Sequence, residues 1–360
     1  MTKKNNFLIY GSYGYTGRLI AELSINHGLS PVLCGRNEEK LAEQAKALKL
    51  KYIVADLEDA DAIEKVLEPF IAVIHCAGPF LHTYKAMAEA CIKTKTHYLD
   101  ITGEFMVMEH LMAMDEAAQA AGVMLLPGAG FDVVPSDCLA QHLKSLLPDA
   151  SELILAIATK QSDSSSGLNI SRGTAKTALE GFPLGTMIRD HGLLKRLSSR
   201  GKIKRIDFGG HKPLMCTTVS WGDISTAWWS TKIPHIEVYM ALPRKMIKIN
   251  RLLGFIKSSL KWLPLKKYMD NKINALPDGP TLKARQKSLA KLYGEVINVA
   301  GQQKSALMTT PNGYDLTSLS VLLIMSKILA GNVPSGFHTP STAYTKNLVM
   351  EIPGVTIIDL

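Results

Sequence analysis

A strand, three glycines and a helix follow one another at the start of the chain, and this order restricts the fold more than any other feature. Phe7–Tyr10 is a short apolar run, and Ile20, Leu23 and Ser24 have helical spacing. The residues between are Gly11-Ser12-Tyr13-Gly14-Tyr15-Thr16-Gly17. A G-x-x-G-x-x-G connection at this position predicts the first strand-helix unit of a Rossmann sheet.

Each glycine has a separate task in such a loop. Gly11 permits a sharp turn, Gly14 lets the main chain approach a diphosphate at the helix N-terminus, and Gly17 lets the helix pack closely on the strand. We therefore predict that the loop binds a dinucleotide through Gly11, Ser12, Tyr13, Gly14, Tyr15, Thr16 and Gly17. The alternative is a glycine turn with a structural role alone.

Further apolar runs alternate with helical patterns up to Pro148. Strands are predicted at Phe7–Tyr10, Pro31–Cys34, Tyr52–Val54, Ala72–Cys76, Tyr98–Ile101 and Val123–Leu126. This alternation predicts an α/β fold with a doubly wound parallel sheet. After Pro148 the pattern changes to a strand at Leu153–Ala158 and a helix at Thr174–Leu179, so a second domain begins there. Ser318–Leu329 is predicted to be helical.

Composition limits the class of protein. The chain has 360 residues, 46% of them apolar and 20% charged, which predicts two globular domains. Its five cysteines form no C-x-x-C pair, so we predict no disulfide framework and no metal site. With neither a signal-peptide core nor an apolar run long enough to span a membrane, the sequence predicts a cytoplasmic protein.

The end of the second predicted strand indicates which dinucleotide binds. An NAD enzyme usually has an acid there, whereas an arginine accommodates the 2′-phosphate of NADP. This chain has Arg36 followed by Asn37, so we predict NADP(H), the alternative being a solvated surface arginine. Asp56, after the third strand, is predicted either to approach the adenine or to cap the helix that begins near Asp59.

The later strand ends supply the remaining candidate site residues. The fourth strand leads into Cys76, Ala77, Gly78 and Pro79, which we predict to contact the cofactor at the carboxyl edge of the sheet. His75 is predicted to be a core residue and the Cys76 thiol to be inert. Glu104 and Asp132 follow later strands and are the candidate catalytic residues, whereas Asp137 is predicted to cap the helix after it.

Charge is divided unequally along the chain. Residues 1–150 carry a net charge of −6 and residues 151–360 a net charge of +15. Within Arg244–Lys272, nine basic residues and one acid accompany apolar residues at helical spacing, which predicts a helix in an anionic membrane interface or, alternatively, a packed amphipathic helix. No nucleic-acid partner is predicted, because no reading module accompanies the charge. Tyr268-Met269-Asp270-Asn271-Lys272 matches Tyr-x-x-x-Lys, but chance alone gives about one such match.

These motifs resemble the saccharopine dehydrogenase-like oxidoreductases, particularly the branch that includes trans-acting enoyl reductases of polyketide lipid synthesis. The residues that carry the resemblance are Gly11–Gly17, Ala77–Phe80, Tyr98–Glu104, Gly130–Asp132, Pro135–Asp137, Trp221–Asp223, Gly313–Tyr314, Leu329–Gly331 and Thr339–Ser341. The resemblance implies a Rossmann domain over 1–148, an inserted α+β domain over 149–330, and a tail over 331–360 that returns toward the first domain. Val133-Val134 stand where saccharopine reductases have Pro-Gly, which disfavours amino-acid substrates.

The sequence thus predicts an NADPH-dependent oxidoreductase that transfers hydride to a C=C or C=N/C=O bond of an apolar, lipid-like substrate. The alternative is a peripheral membrane protein that binds NADPH without turnover. Trp221, Trp228 and Trp229 are predicted to line an apolar pocket, or to lie in the core or at a subunit interface such as that of a homodimer.

Overall fold

Two β-sheets organise the chain in the computed structural model, which describes residues 6–160, 171–181, 185–197, 201–210, 212–247, 271–275 and 277–360. The strands are β1 Phe7–Tyr10, β2 Val32–Gly35, β3 Tyr52–Val54, β4 Ala72–His75, β5 His97–Asp100, β6 Met124–Leu126, β7 Glu152–Lys160, β8 Met187–Asp190, β9 Leu193–Arg196, β10 Ile203–Ile206, β11 Leu214–Thr218, β12 His235–Ala241, β13 Leu289–Ile297, β14 Gln303–Pro311, β15 Gly336–Phe337 and β16 Thr356–Asp359.

Helices connect and cover these strands. They are α1 Tyr15–Asn26, α2 Glu38–Leu48, α3 Ala60–Leu67, α4 Tyr84–Thr94, α5 Phe105–Met112, α6 Asp115–Ala121, α7 Val134–Leu146, α8 Arg172–Gly181, α9 Asp223–Thr231, α10 Leu282–Gln286, α11 Gly313–Leu329 and α12 Pro340–Tyr344. Phe80–His82 and Leu348–Glu351 are short 3-10 helices. No helix in the described ranges combines the length and the apolar character that crossing a bilayer requires.

The first sheet has seven parallel strands in the order β15-β6-β5-β4-β1-β2-β3. The order reverses beside β1, which makes the sheet a doubly wound Rossmann sheet and confirms the predicted fold class. Every residue of β1, β2 and β4 is buried, as expected for strands covered by helices on both faces. The carboxyl ends of β1 and β4 therefore meet at one edge, where the chain reverses and a ligand can bind.

Local side-chain contacts determine where the helices of this sheet begin. The Asn37 side chain accepts a hydrogen bond from the Lys40 amide at 2.9 Å and caps α2. Asp59 accepts one from the Ala62 amide at 3.0 Å and caps α3. The capping alternative for Asp56 was therefore wrong, because Asp59 occupies the cap position.

The second sheet is mixed. Its order is β10-β11-β12-β7-β13-β14-β16, with β12 and β7 parallel and a β8-β9 hairpin attached to β12. Helix α7 packs against β13 and β14, and α9 packs against β12. Gly294 in β13 makes this packing close, because a Cβ there would lie 2.5 Å from Leu143 Cδ1 of α7. One face of the sheet is thereby joined to the core of the first domain.

The end of the chain contacts both sheets. β15 pairs with β6 in the first sheet, β16 pairs with β14 in the second, and α11 packs against α1. Asp137 takes part in this return, since its Oδ2 accepts a hydrogen bond from the Ser341 amide of α12 at 2.8 Å. The prediction that Asp137 caps its own helix was wrong: α7 begins after Val133, and Asp137 lies within its first turn facing α12.

Most of the predicted membrane segment, residues 248–270, lies outside the described residues, as does the start of the Tyr268–Lys272 match.

Candidate active site

The loops after β1 and β4 approach each other so closely that side chains are excluded. Gly11 has φ +76°, and a Cβ on it would lie 2.9 Å from the Ala77 nitrogen. A Cβ on Gly17 would lie 2.5 Å from the Gly11 oxygen. Both glycines are required by the space they occupy, and the resulting bare loop is the cradle that a diphosphate needs.

The N-terminus of α1 is free to bind an anion. Gly14 is its cap residue and provides no side-chain acceptor. Among the described residues, nothing accepts a hydrogen bond from the main-chain amides of Tyr15, Thr16 and Gly17. Unsatisfied amides at the positive end of a helix dipole favour a phosphate group. The loop therefore fits the diphosphate of a dinucleotide.

The side chains of this loop are held by the protein. Ser12 is buried, its hydroxyl donates to Gln44 Oε1 at 2.9 Å, and Gln44 Nε2 donates back to the Ser12 carbonyl at 2.9 Å. Tyr15 turns toward the 278–285 segment, where Arg285 Nη1 donates to its hydroxyl at 2.9 Å. The structure thus gives Ser12 and Tyr15 positioning contacts, and Thr16 is half-buried beside them.

Two basic residues lie at the adenosine end of the expected site. Arg36 follows β2, is exposed, and forms no ion pair with any described residue. The ring of Tyr13 covers Gly35, and Lys40 Nζ lies 5.8 Å from the centroid of that ring. Sequence reasoning missed Lys40, although its position in the first turn of α2 was a usable signal.

Asn37 and Asp56 have local contacts at the same edge. The Asn37 side chain is used as the α2 cap. Asp56 is exposed, and its Oδ1 accepts a hydrogen bond from the Glu58 amide at 3.2 Å.

The loop Cys76–Pro79 is fixed from beneath by His75 and Thr83. The Thr83 hydroxyl donates to the Ala77 carbonyl at 2.7 Å and lies 2.9 Å from His75 Nε2. Burial lowers the pKa of His75 to about 3, so the imidazole is neutral and donates from Nε2 to Thr83. Burial also raises the pKa of the Cys76 thiol, which therefore stays protonated. Gly78 is exposed and Gly78-Pro79 is a cis peptide.

Glu104 holds the same loop from the other side. Its Oε1 accepts a hydrogen bond from the Phe80 amide and its Oε2 one from the Leu81 amide, both at 2.8 Å. The Thr177 hydroxyl of α8 donates to Oε1 at 3.3 Å. Both carboxylate oxygens are thus engaged, and through them Glu104 connects the β4 loop to the second domain.

Asp132 lies in a different environment. A Cβ on Gly103 would lie 2.7 Å from Asp132 Oδ2 and 2.9 Å from Trp221 Nε1, so these two groups meet above Gly103. No described residue forms a hydrogen bond with the Asp132 carboxyl group, and the residue is half-buried. Burial raises its pKa to about 7. Asp132 can therefore gain and lose a proton near neutral pH.

Two deeper acids stand behind Asp132. Asp223 and Asp137 are fully buried, and the Ser136 hydroxyl donates to Asp223 Oδ1 at 2.5 Å. Asp223 Oδ2 and Asp137 Oδ1 have no hydrogen-bond partner in the part of the chain that the structure describes. Burial raises the pKa of both carboxyl groups, and for Asp223 the neighbouring Asp137 and Asp132 add to the effect.

Asp100 connects the β5 and β6 loops of this edge. Its Oδ1 accepts hydrogen bonds from the Thr102 amide at 2.9 Å and the Gly128 amide at 2.8 Å, and the Tyr98 hydroxyl donates to Oδ2 at 2.6 Å. Burial raises its pKa to about 6. Asp100 thereby fixes the loop that carries Gly103.

The tryptophans separate into two groups. Trp221 contacts the site through Nε1, as described above. Arg189 Cζ lies 5.6 Å from the centroid of the Trp228 ring. The centroids of the Trp229 and Phe337 rings are 5.1 Å apart in an edge-to-face contact. Those two rings pack within the protein.

Comparisons with known proteins support this interpretation. The saccharopine dehydrogenase-like oxidoreductase of Rattus norvegicus is 24% identical over 226 residues, which are 57% of this chain and 51% of that protein. A trans-acting enoyl reductase of Mycobacterium leprae is 30% identical over 140 residues, 37% of this chain and 34% of that one. The chain therefore spans about half the length of the first relative and about a third of the length of the second.

A solved structure and a family model complete the comparison. Saccharopine dehydrogenase (L-Glu forming) from Saccharomyces cerevisiae aligns with a TM-score of 0.67 over 99% of both chains at 13% identity, which shows a common fold. Residues 7–126 match the family described as the saccharopine dehydrogenase NADP binding domain. The match confirms the predicted cofactor class, NADP(H), and the resemblance seen in the sequence. Residues 7–126 of the chain are thus similar to the NADP-binding domain of saccharopine dehydrogenases, and the chain as a whole shares the fold of the yeast enzyme.

Proposed function

We propose that the protein is an NADPH-dependent oxidoreductase that reduces a C=C, C=N or C=O bond of an apolar, lipid-like substrate. The observation that carries this proposal is the meeting of Asp132 Oδ2 and Trp221 Nε1 above Gly103, at the carboxyl edge of a sheet that matches an NADP-binding domain. Burial raises the pKa of this carboxyl group to about 7. Such a group supplies the proton that a reduction consumes.

The cofactor-binding residues follow from the loop geometry. The unsatisfied amides of residues 15–17 bind the diphosphate, Arg36 and Lys40 bind the 2′-phosphate, and the Cys76–Pro79 main chain borders the nicotinamide side. When bound, NADPH supplies a hydride, and the protein supplies position and electrostatics.

Asp132 and Trp221 act on the substrate. Asp132 in its protonated form donates a proton from Oδ2, and Trp221 Nε1, a hydrogen-bond donor beside it, stabilises negative charge that develops on the substrate. Glu104 is a positioning residue, because both its oxygens hold the β4 loop.

Three considerations support the class of acceptor. One relative is named for an enoyl substrate, and the Val133-Val134 pair disfavours amino acids. A Cβ on Gly222, the residue after Trp221, would lie 3.3 Å from Met108 Cε and 3.4 Å from Val133 Cγ2, so apolar groups border this part of the chain. An unsaturated thioester is the first substrate to test.

The test measures NADPH oxidation by the purified protein against enoyl thioesters, keto thioesters and imines. We expect turnover with at least one, and a rate that falls as pH rises through about 7, because the general acid is active only when protonated and burial has raised its pKa to that value. D132N is expected to lower kcat by about 10²- to 10⁴-fold and to remove this pH dependence.

Asp61, an exposed acid of α3, provides the matched control, and D61N is expected to leave both kcat and the pH profile unchanged. Tight NADPH binding without turnover of any substrate would overturn the proposal in favour of a protein that binds NADPH without reaction. Full activity of D132N would remove Asp132 from the reaction.

A further inference from the structure

Three side chains of metal-ligating type meet on the second sheet, outside the site described above. Asp190 ends β8, His191 follows it in the turn to β9, and His235 begins β12. One ligand atom from each lies within 4.8 Å of the others. The prediction of no metal site rested on the spacing of the cysteines. His235 is distant from Asp190 and His191 along the chain, and no motif spacing connects the three residues.

The turn that carries His191 favours other residues. His191 has φ +51° and Gly192 φ +76°, so both central positions of this two-residue hairpin turn are left-handed. Asn and Gly are preferred at such positions, and a histidine there has a conformational cost. In this left-handed conformation His191 Nδ1 lies 3.2 Å from Asp190 Oδ1.

The main chain holds His235 opposite this turn. Ile236 pairs with Arg189 between β12 and β8, and the Gly192 amide donates to the Pro234 carbonyl at 2.9 Å. His235 Nδ1 therefore lies 2.8 Å from Asp190 Oδ1, the oxygen that His191 also approaches. The two imidazole rings are 4.5 Å apart, at 82° to each other.

We propose that Asp190 Oδ1, His191 and His235 bind one Zn²⁺ ion, with water in the fourth position. Zn²⁺ binds nitrogen and oxygen ligands at about 2.0–2.2 Å in tetrahedral geometry, which separates neighbouring ligand atoms by roughly 3.3 Å. The separations of 2.8 and 3.2 Å already approach that spacing. Neutral imidazole is a good ligand for this ion, and with the ring proton on Nε2 each histidine offers its Nδ1 lone pair to the ion.

The second oxygen of Asp190 has a partner of its own. Lys195 Nζ lies 2.6 Å from Asp190 Oδ2, and this contact orients the carboxylate with Oδ1 toward the histidines. The Lys195 side chain is 61% exposed, so it can move away from a bound cation. The ion would connect the β8-β9 turn to β12, away from the proposed reaction.

The test uses untagged full-length protein and isothermal titration with Zn²⁺, followed by visible spectroscopy with Co²⁺. We expect one ion per chain at this site and the d–d absorption of tetrahedral Co²⁺. H191N and H235A each remove a ligand, and the affinity should fall at least as much as the roughly 10- to 100-fold that loss of an outer-shell partner typically causes. Asn suits the left-handed turn, so H191N keeps the hairpin folded.

The control is His142, which pairs with Asp359 at 2.7 Å and so offers one histidine and one carboxylate. H142A should bind Zn²⁺ as the parent does. If the parent binds no Zn²⁺, or if H191N and H235A bind it as tightly as the parent, the proposal is wrong. Loss of binding in both variants with retention in H142A establishes the site.

Discussion

Different surroundings separate the two candidate carboxyl groups of the site. Glu104 accepts two main-chain hydrogen bonds, which hold its carboxylate against the β4 loop. Asp132 has no such donor among the described residues, and burial raises its pKa to about 7. Two residues with the same functional group, both predicted as catalytic from the sequence, thus have different proposed roles because of their surroundings.

Arg36 is predicted to determine cofactor preference at the residue scale. R36E replaces a bidentate cation with an anion, and we expect NADPH binding to weaken by about 1.5–3 kcal/mol, with little change for NADH, which lacks the 2′-phosphate. Calorimetric titration with both coenzymes measures this difference.

The control for R36E is Lys46, an exposed residue in the last turn of α2. K46E makes the same change in charge sign at the opposite end of α2 from Arg36, and NADPH affinity should stay near that of the parent. Equal NADPH affinity in R36E and the parent would remove the 2′-phosphate assignment.

Loops determine the site at the scale of elements, and the strands only bring the loops together. Glu104, at the start of α5, fixes the 3-10 helix after β4, and Asp100 fixes the loops after β5 and β6. The Thr177 contact adds α8 from the second domain. Displacing one acid therefore loosens several loops.

E104A is predicted to show this coupling. It leaves the Phe80 and Leu81 amides without their acceptor, and each bond to a charged group contributes about 1.5–3 kcal/mol. We expect urea unfolding to show a loss of about 2–4 kcal/mol together with weaker NADPH binding. E104Q, which keeps one oxygen acceptor, should lie between E104A and the parent.

E43A removes an exposed acid from α2 and is the control for E104A. Its unfolding free energy should stay within about 0.5 kcal/mol of the parent. Parental stability and cofactor affinity in E104A would show that the β4 loop is held by other contacts.

β1, β2, β4 and β6 of the first sheet could be predicted because each is a short apolar run that lies buried in the sheet. Val32–Gly35 differs from the predicted Pro31–Cys34 by one residue. β15 could not be predicted, since Gly336–Phe337 is too short for a pattern and is defined only by its pairing with β6. The start of α11 was missed as well, because a glycine such as Gly313 is typical of a turn. The helix begins there because the Asn312 side chain accepts hydrogen bonds from the Tyr314 and Asp315 amides.

The same limit applies to the site. The glycine loop and Arg36 follow from local sequence, since one strand-helix connection contains them. The meeting of Gly103, Asp132 and Trp221 depends on how the second domain packs on the first, and no local pattern encodes that contact. The cluster around Asp190 depends likewise on the pairing of β8 with β12.

At the scale of the whole molecule, individual ion pairs connect the two domains. The net charges of −6 and +15 suggest that the acidic half attracts the basic one. At α1 the signs are reversed, because the second half supplies the acid and the first half the base. Asp278 forms ion pairs with both Arg18 of α1 and Arg172 of α8. Arg285 extends this contact by pairing with Asp315 at 2.8 Å and with the Tyr15 hydroxyl.

D278A is predicted to loosen the contact between the domains without unfolding the protein. The side chains of Arg18 and Asp278 are 41% and 42% exposed, and exposed ion pairs contribute about 0–1 kcal/mol each, so the free energy of unfolding should fall by no more than about 2 kcal/mol. Hydrogen exchange should nevertheless increase in α8, because its first residue, Arg172, loses the ion pair with Asp278. The KM for substrate should rise because Thr177, which contacts Glu104, lies in that helix.

E89A breaks the Lys85–Glu89 pair within α4 and should leave exchange in α8 unchanged. Parental exchange in the α8 of D278A would show that this helix is held without the bridge.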